Sequence, residues 1–500
     1  MSTAEQTSRL RAVVGLAMAW GMIISITSMA FGQGWPMGGQ NIQNSRTQSN
    51  TMITAENVGA LKLKWVFTTG GDVSATPAVY DGIVYFPDWA GNFYAVNAKT
   101  GALVWSQTVS TWTGVPNDYA RDDPAIGGPH YDSLILGDQA GKLAIWTQAG
   151  GLTGAGARVI AVNRLTGALI WSTQVDTFPS TFITGSPVVY KGVVYVGVAS
   201  HEEAIAATTG YPCCSSSGSV VALSAKNGAI LWQTYMVPTN LGYSGGSVWG
   251  STPVIDPVRN YVYVGTGNNF SVPQIVETCF FNNSSNPSCA ASNDYFDSVV
   301  ALDLTRGEVK WATFASYYDV WNTSCTGGGA PGVGNCPSPE GLDYDFGGSG
   351  PNMLGPNVLG IGQKSGIYYA LNPDIGSVVW QTQVGPEGLT GGIGWGTAFD
   401  GTSIYVPISN KGYVPYALQP GGALVNGGSW AALNPNSGQV IWQTATPGSC
   451  SPPVSGYQQG CMAWAGKRRQ RGCVRRFDGR EPAEPDDVRA SSVLKVLQNR

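Results

Sequence analysis

Apolar and polar residues alternate in short runs along most of this 500-residue chain, and glycine, asparagine or aspartate closes many of them. Ala78–Phe86 (AVYDGIVYF), Pro187–Val196 (PVVYKGVVYV) and Pro253–Val264 (PVIDPVRNYVYV) each read as two strands around a turn. A period of two places every second side chain on one face, and Asp-Gly or Pro-Val-Arg-Asn supplies the break. No stretch keeps a 3.6-residue apolar period over the length of a long helix, and 68 glycines argue against one. The pattern predicts an all-β chain.

One eleven-residue phrase recurs six times: Ala95–Trp105 (AVNAKTGALVW), Ala161–Trp171 (AVNRLTGALIW), Ala222–Trp232 (ALSAKNGAILW), Ala301–Trp311 (ALDLTRGEVKW), Ala370–Trp380 (ALNPDIGSVVW) and Ala432–Trp442 (ALNPNSGQVIW). Alanine stands first, glycine seventh and tryptophan eleventh in every copy, and the tryptophans lie 61 to 79 residues apart. A strand enters the phrase, a polar turn follows in which glycine takes positive φ, and a second strand ends on the tryptophan. With the hairpins upstream, each copy makes four antiparallel strands in roughly 60–70 residues, which is a β-propeller blade. Such units stack because one alone cannot bury its own apolar faces. The tryptophans therefore read as blade-to-blade packing residues, not substrate contacts.

Charged residues make up 12% and hydrophobic ones 43%, which suits a large, well-buried β domain. Two histidines nearly exclude a histidine-ligated zinc or haem site. The Cys-x-x-Cys-His haem motif does not occur, so an electron carrier would be a separate molecule. Arg9 and Arg11 precede an apolar run from Ala12 to about Phe31, with Ala30-x-Gly32 as a small-residue cleavage site. Residues 1–32 are therefore expected to be a signal peptide that sends the chain to the periplasm, without stable membrane insertion. Cysteine placement agrees with export. Cys279/Cys289, Cys325/Cys336 and Cys450/Cys461 are close pairs in polar stretches, Cys213 and Cys214 are adjacent, and Cys473 is left over.

The chain changes character at Gly466. Its last 34 residues carry ten of the 27 Lys+Arg, the odd cysteine and no copy of the repeat. Residues 466–500 are expected to form a disordered basic tail without strand alternation. A frame shift or misjoined sequence after Ala465 accounts for this better than an arm for an acidic partner or anionic lipid.

The repeated phrase resembles the tryptophan-docking motif of the eight-bladed quinoprotein alcohol dehydrogenases, which use pyrroloquinoline quinone (PQQ) and a metal ion. Over residues 34–465 the chain looks most like their polyvinyl alcohol dehydrogenase branch. An eight-bladed ring would need about two blades beyond the six recognisable here. In Gly246–Asn268 (GSVWGSTPVIDPVRNYVYVGTGN) the resemblance makes Trp249 the floor beneath the quinone and Asn268 a metal ligand. A flat ring system suits an aromatic partner, and an amide oxygen suits a hard cation. In Gly185–Glu203 (GSPVVYKGVVYVGVASHEE) it places a metal-binding glutamate at Glu202, or at Glu203 if the register slips by one. In GLDYDFGGSG it makes Asp343 the catalytic base and a metal neighbour, and Asp345 the extra acid that accompanies lanthanide use in relatives. Asp345 as the base, and Asp319 in Asp-Val-Trp-Asn, are the alternatives. Lys364 in Gly362–Ala370 (GQKSGIYYA) would contact the quinone carbonyls, Arg121 a quinone carboxylate, and Thr184 another cofactor oxygen. Cys213-Cys214 would form a disulfide ring that either covers the cofactor or braces its own loop.

The resemblance implies a periplasmic enzyme that oxidises a primary, secondary or polymeric alcohol with PQQ and Ca²⁺ or a lanthanide. Electrons would pass to a separate cytochrome c, and no nucleic-acid partner is expected. A non-enzymatic outer-membrane-assembly propeller shares the repeat, so a binding scaffold is the alternative, as is an inactive truncated product. Inserted loops near 204–218, 270–295 and 315–340 are where substrate choice is expected to reside.

Overall fold

The computed structural model of the chain describes residues 34–446, apart from 49–59, 61, 148, 284–285, 317, 327–333, 347 and 389–390, together with 493–498. The signal-peptide segment, Cys450, Cys461, Cys473 and most of the tail lie outside the described residues.

Among the described residues the alternating runs form six antiparallel meanders of four strands, the third with the short strand Thr181–Phe182 added against its second strand. These are sheet 1 (78–108), sheet 2 (125–176), sheet 3 (188–235), sheet 4 (254–314), sheet 5 (352–383) and sheet 6 (398–445). In each copy of the repeat the alanine pairs directly across from its tryptophan, from Ala95 with Trp105 to Ala432 with Trp442, and a bulge follows. The small methyl leaves the indole free to reach the next sheet. Trp105, Trp171, Trp232, Trp311 and Trp380 each donate Nε1–H to a carbonyl in the following turn, at 2.9–3.1 Å. Their rings lie on Gly167, Gly228, Gly307, Gly376 and Gly438, whose φ angles are 70–73°. An added Cβ there would fall 2.4–2.8 Å from the indole, so conformation and close approach both demand glycine. Thr173, Thr234, Thr313 and Thr382 bond the same glycine carbonyls at 2.7–2.8 Å. After Trp105 the corresponding residue is Gln107, and Trp112 supplies the bond to Gly167 at 3.0 Å instead.

Buried side chains divide accordingly between neighbouring sheets. Ile135 and Val159 of sheet 2 meet Val194 and Val221 of sheet 3. Val220 of sheet 3 meets Val262 and Val300 of sheet 4, and Tyr368 of sheet 5 meets Val406 of sheet 6. Trp65 repeats the docking outside the six copies: its Nε1–H donates to the Ala98 carbonyl at 3.1 Å, and its ring covers Gly101. Its strand, Lys62–Thr68, pairs antiparallel with Val493–Gln498. The stretch expected to lack strands thus contributes one.

In a meander the exits of the second and fourth strands open at the same end. The repeat turns join third and fourth strands and lie at the opposite end. Segments 138–156, 201–218 and 266–297 follow second strands and 315–351 follows a fourth, so all four insertions gather at one end. Residues 35–45 tie the inner strands together. Trp35 and Val79 exchange two backbone hydrogen bonds, and Ile126, Ile255, Met353 and Phe399 donate to the carbonyls of Pro36, Ile42, Gln43 and Ser45 at 2.7–3.1 Å. One segment thereby satisfies first-strand groups of five sheets.

Candidate functional site

Every residue singled out from the sequence leaves a second or fourth strand. Arg121, Thr184, Trp249, Asp319, Asp343 and Asp345 follow fourth strands; Glu202, Glu203, Cys213, Cys214, Asn268 and Lys364 follow second strands. They therefore share the end that carries the insertions.

At the centre is a buried ammonium. Lys364 Nζ donates to Asp343 Oδ1 at 2.7 Å and lies 3.1 Å from Asp345 Oδ2. That same Oδ2 accepts Trp249 Nε1–H at 3.2 Å, and Nζ stands 5.5 Å from the Trp249 ring centroid. Burial opposes the Lys364 charge, but Asp343, Asp345 and Glu203 outweigh it and hold its pKa above the ordinary range. Burial, against the pull of Lys364, raises Asp343 well above the carboxylate range, with Asp345 and Glu203 adding. Asp343 adopts φ 57°, and Asp319 holds that turn by accepting the N–H groups of Asp343 (2.9 Å) and Tyr344 (2.6 Å). Asp319, the rival base, is thus the support of Asp343.

Asn268 Nδ2 donates to the carbonyls of Asn269 (2.9 Å) and Trp321 (2.7 Å), which fixes the amide orientation. Its Oδ1 accepts no hydrogen bond among the described residues. The preceding Gly267 approaches Asp345, whose Oδ2 would lie 3.5 Å from an added Cβ.

The two glutamates part company, because neighbours on the short helix Glu202–Ile205 point in different directions. Glu202 is fully buried and accepts from Tyr211 Oη, Ser215 N (2.9 Å) and Ser216 N (2.6 Å). It clamps the 211–216 loop, and the bonded Cys213–Cys214 pair immediately precedes the residues it holds. Glu203 faces the lysine cluster instead. Partly open by area yet ringed by protein, it is pushed up to about 7 by burial; Lys364 and Lys142 oppose the rise, and Asp345 and Asp319 add to it. Cys279–Cys289 and Cys325–Cys336 are also bonded.

Beside Trp249 a partly open cavity is lined by Arg46, Arg121, Thr184, Gly250, Thr252 and Trp395, among others. The Arg121 guanidinium lies 4.1 Å from the Trp89 ring centroid, and Thr184 Oγ1 donates to Gln139 at 3.3 Å. Trp395 stands edge-on to Trp249 with centroids 5.1 Å apart. Arg46 went unnoticed in the sequence because it lies outside every repeat and every motif. Among the described residues, the only three His/Cys/Asp/Glu ligand atoms that all lie within 4.8 Å of one another belong to Cys325, Cys336 and Glu340. That disulfide leaves no thiolate there.

Next to Asn268, Asp294 is buried in the third insertion. It accepts from Asn269 Nδ2 at 3.1 Å, and its Oδ2 has no partner among the described residues. Burial pushes its pKa from 3.8 up to about 7, with the Asn269 bond opposing. The folded carboxyl therefore keeps its proton where the unfolded one has lost it. That protonation favours folding below about pH 4, and the contribution is lost as pH rises to about 7. Asp294→Asn is expected to gain stability relative to the parent between pH 4 and pH 8, by up to about 4 kcal/mol. Urea midpoints at the two pH values measure it, and an equal offset at both would show that Asp294 ionises freely.

The family model described as outer membrane protein assembly factor BamB (PQQ_2) matches residues 11–212 and 152–318. The polyvinylalcohol dehydrogenase of a Pseudomonas sp. is 31% identical over 409 residues, 77% of this chain and 57% of that protein. That of Sphingopyxis sp. (strain 113P3) is 30% identical over 421 residues, 80% and 57% of the two. This chain belongs to the quinoprotein alcohol dehydrogenase family. It spans 57% of the length of those two curated relatives. The crystal structure of quinohemoprotein alcohol dehydrogenase from Comamonas testosteroni aligns over 86% of this chain and 68% of that one, with a TM-score of 0.59 and 20% identity. That likeness shows the propeller fold of the quinoprotein family. No helix among the described residues is long and apolar enough to cross a membrane.

Proposed function

We propose that this chain is a PQQ- and metal-dependent alcohol dehydrogenase. The reading is carried by Lys364, buried between Asp343 and Asp345 beside Trp249, at the edge of an arginine-lined cavity. The donors present suit both groups. Asn268 offers a pinned amide oxygen, Asp345 Oδ1 is buried without a partner among the described residues, and Asp343 and Glu203 add carboxylates. This oxygen set favours a hard cation, calcium or a lanthanide. For the quinone, Trp249 offers an indole, and Arg121 and Thr184 offer donors to its carboxylate end.

When bound, PQQ supplies the two-electron acceptor and the cation polarises oxygen. Asp343 takes the proton from the alcohol hydroxyl, and Asp319 holds the Asp343 turn in position. Glu203, Asn268 and Asp345 would hold the cation, and Lys364 would offset negative charge that develops beside it. Glu202 and the Cys213–Cys214 loop brace the wall that presents Glu203. The six sheets belong to an eight-bladed ring, with Lys62–Thr68 as the outer strand of a further blade. The chain works in the periplasm and passes electrons to a separate cytochrome c. Its inserted loops favour a secondary, polymeric alcohol, a choice supported by the names of the polyvinylalcohol dehydrogenases above.

Reconstitution with PQQ plus Ca²⁺ or La³⁺ is expected to support dye reduction by alcohols, polyvinyl alcohol among them. The assembly-factor description of the matching family model supports a second reading, a cofactor-free scaffold. PQQ without effect on tryptophan fluorescence, and no dye reduction with either metal, would establish that second reading instead.

A further inference from the structure

We propose that Arg46, carried by the N-terminal segment and not by any sheet, anchors with Arg121 the carboxylates of the ligand in the cavity beside Trp249. The identity of that ligand as PQQ rests on the function proposed above; the anion anchor itself rests on the cavity.

Residues 35–45 are bound to the first strands of five sheets, so Arg46 is delivered beside all five whatever each sheet does alone. Its backbone N–H donates to the Gly39 carbonyl at 3.0 Å, and its Nε–H to Asn44 Oδ1 at 3.2 Å. Asn44 is locked in turn, its Nδ2 donating to the Pro351 carbonyl at 2.6 Å. Nη2 reaches Thr252 Oγ1 at 3.4 Å. The guanidinium lies flat against Gly396, where an added Cβ would come within 2.7–2.9 Å of Cζ, Nε and Nη2. Side chain and backbone alike are therefore preorganised, which lowers the entropy lost on binding.

Two guanidiniums and two buried carboxyls line the cavity. Arg46 and Arg121 both line it, and Lys142 stands close enough to Arg121 to be pushed down to about 8, mainly by burial. Opposite them are Asp122, lifted well above the carboxylate range by burial, and Asp123, raised by burial against the pull of the nearby Arg46 guanidinium. Asp123 is occupied by the Thr76 N–H, and Asp122 by the Gly137 N–H at 2.7 Å. A guanidinium buried on a cavity wall suits a planar carboxylate, because two parallel N–H donors match its two oxygens. Gly250 and Trp395 line the cavity next to Trp249, whose ring centroid lies 5.1 Å from that of Trp395 and 5.5 Å from Lys364 Nζ.

The test titrates the full chain and its variants with PQQ, PQQ trimethyl ester and benzene-1,3,5-tricarboxylate, followed by tryptophan fluorescence, with a thermal melt of each variant. Arg46→Gln is expected to weaken PQQ by at least about tenfold and the ester by much less. Gly396→Ala keeps the arginine but displaces it, and is expected to shift PQQ in the same direction, so the result does not depend on one variant folding. PQQ bound equally by the parent and both variants would overturn the anchor while leaving the quinoprotein reading intact. Equal losses for PQQ and its ester would also overturn it. Tricarboxylate bound through Arg46 without any PQQ binding would uphold the anchor and remove the quinone. A parent chain that binds none of the three probes would overturn both.

Discussion

Asp343→Asn is expected to lower PQQ-dependent dye reduction by about 10²- to 10⁴-fold, the range for losing a positioned general base, while PQQ binding is retained. Asparagine matches aspartate in size and can still accept from Lys364 Nζ, which sits 2.7 Å from Oδ1. It cannot take up a proton. The turn survives as well, because Asp319 holds it through backbone N–H groups and not through the Asp343 side chain. Asp345→Asn is the comparison. It removes the carboxylate that bonds Trp249 and Lys364 but leaves the proposed base, so it should act more on metal choice than on the proton step. Steady-state rates with Ca²⁺ and La³⁺, alongside fluorescence titration of PQQ, separate the two. If Asp345→Asn alone abolishes turnover, the base is Asp345.

Trp232→Ala should cost about 3–5 kcal/mol of stability, the range for truncating a large buried aromatic. The indole is 9% exposed, its Nε1–H donates to the Leu304 carbonyl at 3.0 Å, and Gly307 forms the surface beneath it. The loss falls on the contact between sheets 3 and 4, because Trp232 belongs to one and its acceptor follows a strand of the other. Trp442→Ala provides the control. Among the described residues its ring packs within its own sheet, against Ala398, Tyr405 and Ala432, so a smaller loss is expected. Urea denaturation of both variants measures the difference. Equal losses would mean that the indoles stabilise their own sheets and not the joints between them.

The repeat was legible in the sequence because its constraints are local. Alanine faces tryptophan across one strand pair, and glycine must take positive φ beneath the next indole. Trp65 obeys the same physics but lies outside the repeat, since Leu61 stands where each copy has glycine four residues before its tryptophan. The strand opposite it, Val493–Gln498, lies more than 400 residues away in a segment whose charge suggests disorder. The sequence favours Glu202 over Glu203 as the metal-binding glutamate, whereas Glu202 clamps the 211–216 loop and Glu203 faces Lys364. Their directions depend on where Tyr211, Ser215 and Ser216 lie, and only one of two adjacent side chains can meet them. Only its bonds to the Asp343 and Tyr344 N–H groups distinguish Asp319 from a competing base.

By itself, the sequence determined that the chain is all-β, that its unit is a four-stranded meander, and that each unit docks on the next through a tryptophan. Those features depend on side-chain period, turn conformation and residue size, all written within about eleven consecutive positions. It also placed the candidate residues on segments that leave second or fourth strands and so share one end of the sheets. Only the tertiary structure decided which carboxylates meet Lys364, which glutamate faces them, and that residues 35–46 carry an arginine into the cavity. Those contacts join segments from about twenty to more than three hundred residues apart, and the packing of the sheets about residues 35–46 brings them within hydrogen-bonding distance.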